Sequence, residues 1–339
     1  MSSLTLLSQP NPENIVILRA LHIGDLLGAV PAFRALRAAL PDAHITLVGL
    51  PWARSFVKRF NNYLNNFITF PGFPGLPEQY PDIVQFPTFI TEMQKINFDL
   101  AIQLQGAGGI VNSMIRLWGA KKYAGFYLPG EYCPDKNRFL LYPKYEPEVW
   151  RHLRLMEFLG IPLQGDELEF PLFENDWKGF QQIKEKYNLQ NNYVCLNPGA
   201  HSIDRRWPPS HFSSVADGLV ALGYQVILTG SEEDIVLTAT VARKMKSQAI
   251  DLAGKTSLGT LAALISRAQL VVSNDTSISY IASSVKTPSV VLFTVSDPNR
   301  WTSQNKKLLR PVTHAMTRTP AEVLDHVESH LQEVHNHVS

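Results

Sequence analysis

Short apolar runs that alternate with helix-forming segments are the feature that most constrains the fold of this chain. Residues 14–20 form one such run, a segment with helical periodicity follows, and a second run occupies residues 44–50. Strands separated by a single helix usually form a parallel pair joined by a right-handed crossover. Further runs at 98–106 and 121–128 continue the series. The first part of the chain therefore predicts a parallel sheet covered by helices.

A second series of the same kind begins near residue 192 and predicts a second parallel sheet. Its five apolar runs each end in small or polar residues, and they occupy 192–200, 224–230, 248–254, 268–275 and 288–295. A chain of 339 residues is also long enough for two domains. The predicted fold class is therefore α/β, with two Rossmann-like, doubly wound domains.

A segment without clear periodicity separates the two series and marks the predicted linker. Residues 160–177 carry Pro, Gly and acidic side chains. We therefore expect a first domain over 1–165, a second domain over 166–316 and a C-terminal helix over 317–339.

The C-terminal helix has a recognisable start and one apolar face. Thr319 is the predicted N-cap, Pro320 takes the first helical position, and Glu322 completes a capping box. The apolar stripe consists of Val323, Leu324, Val327, Leu331 and Val334. The sequence leaves open which of the two domains this stripe covers.

Charge and cysteine content narrow the class of protein. The formal net charge of +1 gives no overall field that would attract nucleic acid. The two cysteines, Cys133 and Cys195, do not make a disulfide framework and favour a reducing compartment. The first residues lack a signal-peptide pattern, and no apolar run reaches about 18 residues. We expect a monomeric, cytoplasmic protein, with a peripheral membrane contact left open.

Asp25 is the first candidate for chemistry because it follows the first predicted strand. In open parallel sheets, ligands bind beyond the carboxyl ends of the strands. Pro31 lacks a backbone N–H, so we expect an irregular helix start that leaves Asp25 facing a ligand. The alternative is that Asp25 only caps the helix, where a carboxylate is favoured by the helix dipole.

The segment 197–208 is the second candidate. Gly199 would permit a close backbone approach, with Ala200 and His201 beside it. Arg205 can donate two hydrogen bonds to a diphosphate from its planar guanidinium. The alternative is an exposed loop in which arginines pair with Asp204 or solvent.

Two further loops follow strands of the second series. Glu232 and Glu233 come after a strand that ends in Gly, where a carboxylate can hold ribose hydroxyls. Asp275 and Thr276 stand at a strand-to-helix junction, where backbone N–H groups and the helix dipole bind anions. The alternative in each case is a capped helix start without a ligand.

A helical segment at 50–64 places Arg54 and Lys58 four residues apart, with Trp52, Phe56 and Phe60 on an apolar face. Basic side chains beside aromatic ones suit a phosphorylated glycolipid or a headgroup surface. The alternative is an amphipathic helix that buries its aromatic side chains and solvates its charges.

Several motifs of metal and acyl-transfer enzymes are absent from the sequence. There is no D-x-D, C-x-x-C, H-E-x-x-H or G-x-S-x-G pattern. We therefore expect no metal and no other cofactor.

Taken together, segments 17–48, 197–208, 251–277 and 292–301 resemble glycosyltransferase family 9, the heptosyltransferase family of lipopolysaccharide synthesis. The resemblance extends over about 14–312. It implies the GT-B fold, in which two Rossmann-like domains face a cleft, the N-terminal one binding the acceptor and the C-terminal one the nucleotide sugar. It also implies a C-terminal helix that crosses back to the first domain.

The resemblance assigns roles to particular residues. Asp25 matches the family's catalytic base, with His22 and Gly24 beside the acceptor, and Arg205 falls where a phosphate-binding Lys or Arg is common. Asp275 and Thr276 match the start of the Asp-Thr-Gly-x-x-His donor motif. Ser277 and Tyr280 stand where that motif has Gly and His.

The resemblance implies an inverting, metal-independent glycosyltransferase of cell-envelope polysaccharide synthesis. Its donor would be a nucleotide sugar, with ADP-heptose favoured, and its acceptor a saccharide or glycolipid, reached at the cytoplasmic face of the inner membrane. Two other functions stay open. One is a GT-B sugar-nucleotide epimerase or hydrolase. The other is a non-catalytic nucleotide-sugar-binding protein, which the changes at Ser277 and Tyr280 favour.

Overall fold

The computed structural model describes residues 11–301, 307–313 and 319–338, with side chains up to residue 333. The chain divides into two compact units, Met1–Asp166 and Glu167–Ser339. The division falls inside the aperiodic segment 160–177.

The first unit is built on a parallel six-stranded sheet in the order β3-β2-β1-β4-β5-β6. Its strands are β1 (Asn14–Leu18), β2 (His44–Gly49), β3 (Asn66–Thr69), β4 (Leu100–Gln103), β5 (Lys122–Tyr127) and β6 (Phe139–Leu141). Its helices are α1 (Ile23–Ala39), α2 (Ala53–Arg59), α3 (Phe86–Ile96), α4 (Ile110–Arg116) and α5 (Glu148–Phe158).

The second unit repeats this plan in the order β12-β11-β10-β7-β8-β9. Its strands are β7 (Tyr193–Asn197), β8 (Gln225–Leu228), β9 (Ile250–Asp251), β10 (Leu270–Asn274), β11 (Ser289–Phe293) and β12 (Leu309–Thr313). Its α-helices are α6 (Glu174–Lys186), α7 (Pro209–Ala221), α8 (Ile235–Lys244), α9 (Leu258–Ile265), α10 (Ser277–Ser284), α11 (Pro298–Trp301) and α12 (Pro320–Val338). Short 3₁₀ helices lie at Ile203–Arg205 and Glu232–Asp234.

Both sheets have the strand order in which the direction of winding reverses once. The reversal lies between β1 and β4 in the first unit and between β7 and β10 in the second. The crevice beyond the carboxyl ends of such a strand pair is where doubly wound folds bind ligands. The predicted fold class of two Rossmann-like α/β domains is therefore confirmed. The loops after these four strands are the places where this topology favours ligand binding.

Three strands were not predicted from the sequence, namely β3, β6 and β12. Each lies at an edge of its sheet. Edge strands are covered less completely, so their sequences carry a weaker apolar signal. In β12, Arg310 and Pro311 interrupt the apolar run that would otherwise indicate a strand.

Helix α1 corrects the expectation of an irregular start before Pro31. The helix runs without interruption from Ile23 to Ala39 and contains Pro31 in its interior. Proline removes one backbone donor, so the bond to the carbonyl of Leu27 is lost while the helical path continues. Pro31 is buried within this helix.

Helix α12 packs within the second unit. The capping box is confirmed, because Thr319 N donates to Glu322 Oε2 at 3.0 Å and Glu322 N donates to Thr319 Oγ1 at 3.3 Å. Val323, Val327 and Leu331 belong to the core cluster of the second unit, with Leu324 packed against it, whereas the side chain of Val334 lies outside the described residues. The described side chains of the stripe therefore form part of the core of the second unit.

Replacing Val327 by Ala tests this packing. Val327 has no exposed surface, so truncation should lower the free energy of unfolding by about 1–3 kcal/mol. Val236→Ala is the matched control, since Val236 on α8 is 76% exposed and its change should stay within about 0.5 kcal/mol. Urea unfolding followed by circular dichroism measures both, and equal effects of the two variants would contradict the assigned packing.

Candidate functional site

Asp25 occupies the first turn of α1, just beyond the carboxyl end of β1. Its Oδ2 accepts a hydrogen bond from the backbone N–H of His22 at 3.2 Å, within a capping box. Asp25 therefore does cap the helix, as the alternative interpretation held. Its side chain nevertheless keeps 22% of its surface exposed. One carboxylate thus caps the helix and remains open to a ligand, while Gly24 is buried beside it and His22 is exposed.

Arg19 lies directly beneath this carboxylate and was not predicted as a site residue. It follows β1 directly, and its side chain is 1% exposed. Nε donates to the backbone carbonyl of Asp25 at 2.7 Å, and Nη2 lies 3.9 Å from Asp25 Oδ1. The same Nη2 lies 3.5 Å from Oε1 of Glu148, the first residue of α5. A buried guanidinium therefore stands between two carboxylates.

The surroundings of Asp25 raise the pKa of its carboxyl group above the ordinary value. Burial is the main cause, because a carboxylate loses solvation when water is removed. The guanidinium of Arg19 opposes the rise, the negative charge of Glu148 adds to it, and His22 lowers the pKa. A raised pKa makes the ionised form a stronger proton acceptor, which suits a general base.

The basic residues of α2 lie on its exposed side. Arg54 and Lys58 are exposed, and the Arg54 guanidinium lies 5.1 Å from the centre of the Phe67 ring. Phe56 and Phe60 are buried with stacked rings 4.3 Å apart, and Trp52 is partly buried against a core cluster that includes Leu50. The aromatic side chains thus serve the core, as the alternative interpretation held, and only the charges remain available to a ligand.

In the second unit, Arg205 and Asp275 come together. Arg205 Nη1 lies 3.8 Å from Asp275 Oδ2, and Arg205 retains 38% of its side-chain surface exposed. Ser296, on the loop after β11, donates its hydroxyl to Asp275 Oδ2 at 2.5 Å. The partner of Arg205 is therefore Asp275 and not Asp204, whose carboxylate instead accepts from the Ser202 hydroxyl.

The pKa of Asp275 is raised, chiefly by burial of its carboxylate, which is 4% exposed. The hydrogen bond from Ser296 and the charge of Arg205 both act in the opposite direction. This carboxylate accordingly has two partners that stabilise its charge, and it holds Arg205 in place on the loop after β7.

The loop after β7 is fixed by an amide on β10. Asn274 accepts a hydrogen bond from Trp207 N at 3.0 Å and donates to the carbonyl of Pro198 at 2.8 Å. Trp207 is 3% exposed and belongs to the core, so it anchors the loop instead of covering a ligand. Arg206 also serves the loop, because its Nε donates to the carbonyl of Ala200 at 2.8 Å.

Gly199 has a different role from the one expected. A Cβ at this position would lie 2.5 Å from Asp234 Oδ1, so the space beside the glycine is filled by the Asp234 carboxylate. That carboxylate also accepts hydrogen bonds from Ser231 N and Oγ. The close approach that Gly199 permits therefore joins the loops after β7 and β8.

Helix α10 begins two residues after the buried Asp275 and presents a small polar surface at its start. Thr276 is its N-cap, and its hydroxyl accepts a hydrogen bond from Ile278 N at 3.4 Å. Thr276 and Ser277 are partly exposed, whereas Tyr280 is 6% exposed and is largely covered by protein. The two residues at the start of the helix are therefore more accessible to a ligand than the aromatic ring one turn later.

Three further candidates from the loops after β7 and β8 are exposed, whereas Ala200 is buried. His201, Glu232 and Glu233 are all exposed. Among the described residues, no hydrogen bond or ion pair connects Glu232 or Glu233 to Arg205 or Asp275. Within residues 11–301, 307–313 and 319–338, no group of three or more His, Cys, Asp and Glu side chains is arranged to hold a metal ion. No described helix is both long and apolar enough to cross a membrane.

Comparison with known proteins points to one family. The family described as glycosyltransferase family 9 (heptosyltransferase) matches residues 88–323. Lipopolysaccharide heptosyltransferase 3 of Escherichia coli K12 is 33% identical over 297 residues, which cover 85% of this chain and 84% of that protein.

Two solved structures share the fold over nearly the whole chain. A glycosyl transferase of family 9 from Veillonella parvula superposes with a TM-score of 0.77 at 20% identity, covering 95% of this chain and 98% of that one. The ADP-heptose lipopolysaccharide heptosyltransferase II of Escherichia coli gives 0.73 at 20% identity, with 95% and 99% covered.

The hydrogen bond from Ser296 can be tested by its effect on Asp275. Ser296→Ala removes a donor to the ionised carboxylate, so the pKa of Asp275 should rise further above its ordinary value. Carboxyl ¹³C NMR titration measures the change. Ser284→Ala is the control, because its hydroxyl donates to the Ile281 carbonyl on the same helix. An unchanged pKa in the Ser296 variant would show that this hydrogen bond is not formed in solution.

Proposed function

The chain belongs to glycosyltransferase family 9, and on that premise we propose that it transfers a heptose from ADP-heptose to a lipopolysaccharide acceptor, with inversion at the anomeric carbon. A relative that is 33% identical carries the name lipopolysaccharide heptosyltransferase 3, which supports the sugar and the acceptor. The name of a structural neighbour that shares the fold gives ADP-heptose, which supports the donor.

The partly open, strongly held carboxylate of Asp25 is the observation that carries this proposal. An acceptor hydroxyl oxygen attacks the anomeric carbon of the donor while Asp25 takes the hydroxyl proton. The new glycosidic bond forms as the bond from the anomeric carbon to the β-phosphate oxygen breaks. The nucleoside diphosphate leaves with the bonding electrons, and attack from the opposite face inverts the configuration.

The second unit supplies groups that suit the leaving diphosphate. Arg205 presents a half-exposed guanidinium beside the start of α10. In our proposal, Arg205 and the backbone N–H groups near Thr276 and Ser277 stabilise the charge that develops on the diphosphate. Asp275 holds the arginine, Gly199 and Ala200 shape the loop, and the exposed His201, Glu232 and Glu233 reach the nucleoside. Tyr280 lies within α10, and its side chain is covered by protein, so its proposed role is to hold this helix in position.

The acceptor is proposed to bind at the first unit. His22 and Gly24 flank Asp25, and the exposed charges of Arg54 and Lys58 suit phosphate groups on a glycolipid. The same charges favour a peripheral contact with an anionic membrane surface on the cytoplasmic side. The enzyme is proposed to act as a monomer.

We propose that no metal ion takes part, because Arg205 and the start of α10 provide the positive potential that a cation supplies in other transferases. Turnover should then persist in EDTA. The rival functions are distinguished by product: an epimerase or hydrolase consumes the donor without an acceptor, and a binding protein retains the donor unchanged.

Asp25→Asn tests the base. Asparagine preserves the shape of the side chain but cannot take a proton at neutral pH, so turnover should fall at least about a hundredfold. Binding of ADP to the second unit, measured by isothermal titration, should remain close to that of the wild type. Asp42→Asn is the matched control, because Asp42 is exposed in the same unit. Full turnover by the Asp25 variant would reduce Asp25 to a helix cap.

Arg205→Ala tests the phosphate contact. Loss of a charge-assisted hydrogen bond should weaken ADP binding by about 1.5–3 kcal/mol. Arg243→Ala is the control, since Arg243 is exposed on α8 and bonds Thr240 on its own helix. Arg206 is a poorer control because it holds the Ala200 carbonyl. Equal affinities in the Arg205 and Arg243 variants would exclude Arg205 from the donor site.

A further inference from the structure

Arg19 is a buried cation that is held by other groups in addition to Asp25. Its Nη1 donates to the carbonyl of Leu104, just after β4, and its Nη2 faces Glu148 at 3.5 Å. Its Nε holds the carbonyl of Asp25 at 2.7 Å. The guanidinium therefore connects the ends of β1 and β4, the start of α5 and the first turn of α1.

Glu148 is itself held firmly. Its Oε2 accepts a hydrogen bond from Arg151 Nη1 at 2.7 Å, one turn further along α5. Arg151 is 2% exposed and also donates to the Tyr142 hydroxyl and to the carbonyls of Pro143 and Lys144. As the first residue of α5, Glu148 also lies where the helix dipole favours negative charge. Arg151 therefore holds Oε2 of the Glu148 carboxylate, while Oε1 faces Arg19.

His152 completes the surroundings of Glu148. Its Nε2 lies 3.9 Å from Glu148 Oε1, and its ring forms a hydrogen bond with the backbone of Gly28 on α1. Burial, with help from the charge of Arg19, lowers the pKa of His152 to about 3, so the ring is neutral at physiological pH. The cluster then contains two arginines and two carboxylates, and its charges balance.

We propose that Glu148 is a positioning residue for the base: it fixes Arg19, and Arg19 fixes both the backbone and the carboxylate of Asp25. This inference rests on the proposed function, since it gives Glu148 a role only through Asp25. Glu148 does not touch the substrate in this proposal. Removing the charge of Glu148 would leave two buried arginines with Asp25 as the one nearby carboxylate. Arg19 would then hold the first turn of α1 less firmly.

The proposal predicts a shift of the pH profile with a definite sign. The charged and titratable groups that face Asp25 are Arg19, Glu148 and His22. The negative charge of Glu148 raises the pKa of Asp25, so its removal should lower that pKa. The acid limb of the profile of kcat/KM against pH reports the base in the free enzyme, and it should move to lower pH.

Glu148→Gln is the primary variant, because it removes the charge and keeps the length of the side chain. We expect kcat on the pH plateau to fall by roughly 10–100-fold, with the acid limb shifted to lower pH and ADP affinity unchanged. Glu157→Gln is the matched control on the same helix, since Glu157 is 45% exposed and pairs with Arg154. It should match the wild type in all three measurements.

A second variant covers the case in which Glu148→Gln folds poorly. Glu148→Gln combined with Arg151→Gln removes one charge of each sign and restores the balance of the cluster. Arg151 is not among the groups that shift the pKa of Asp25, so the acid limb should again move to lower pH. A purely structural role would reduce activity or thermal stability without moving this limb.

The outcomes separate this inference from the proposed function. An acid limb that stays in place, or a plateau kcat equal to that of the wild type, in folded Glu148 variants would overturn the positioning role while Asp25→Asn remained inactive. Full turnover by Asp25→Asn would instead overturn the base assignment and the inference with it. Loss of activity together with the predicted shift supports both.

Discussion

Each sheet is covered by helices, so charged side chains are confined to the ends of its central strands. The interiors of β1, β4, β7 and β10 are buried and largely apolar, and their backbone groups are used in parallel pairing. The first charged group after β1 is Arg19, and the first after β10 is Asp275. Because burying a charge is costly unless it is paired, each of these groups determines which residues must surround it.

The two units meet this requirement in different ways. In the first, the cation Arg19 is enclosed by protein and one of its carboxylate partners, Asp25, is partly open to solvent. In the second, the carboxylate of Asp275 is enclosed and its cation Arg205 is partly open. The buried member fixes the exposed member in both cases. The result suits a basic group in the first unit and an anion-binding group in the second.

The sequence was sufficient to locate Asp25, Arg205 and Asp275, and insufficient to locate Arg19 and the other residues that hold these groups in place. Asp25 and Arg205 follow predicted strands, where topology alone brings ligands, and the family resemblance named both. Glu148 and Arg151 are spaced as i and i+3, a pattern usually found on solvated helix faces, so their burial depends on α5 packing against α1. Ser296 reaches Asp275 across 21 residues, a pairing that no local pattern specifies.

Glycine and proline were predicted less well, because their roles depend on neighbours that are distant in sequence. Gly199 was expected to admit a ligand, yet its free side is occupied by Asp234. Pro31 was expected to disrupt α1, yet the buried helix retains its path. The missing side chain of Gly199 and the missing backbone N–H of Pro31 were both recognised from the sequence. Which residues pack around them depends on tertiary structure.

The position of α12 in the second core has a consequence for biosynthesis. Val323 and Val327 are fully buried together with Val194 and Leu196, which the ribosome adds well over one hundred residues earlier. The residues of the first core have all been synthesised once α5 is made. The second core lacks the apolar side chains of α12 until that last helix leaves the ribosome. The apolar surface of α7 therefore stays uncovered on the nascent chain through most of the synthesis of the second unit. During translation, this face is therefore exposed apolar surface of the kind that favours aggregation or binding by chaperones.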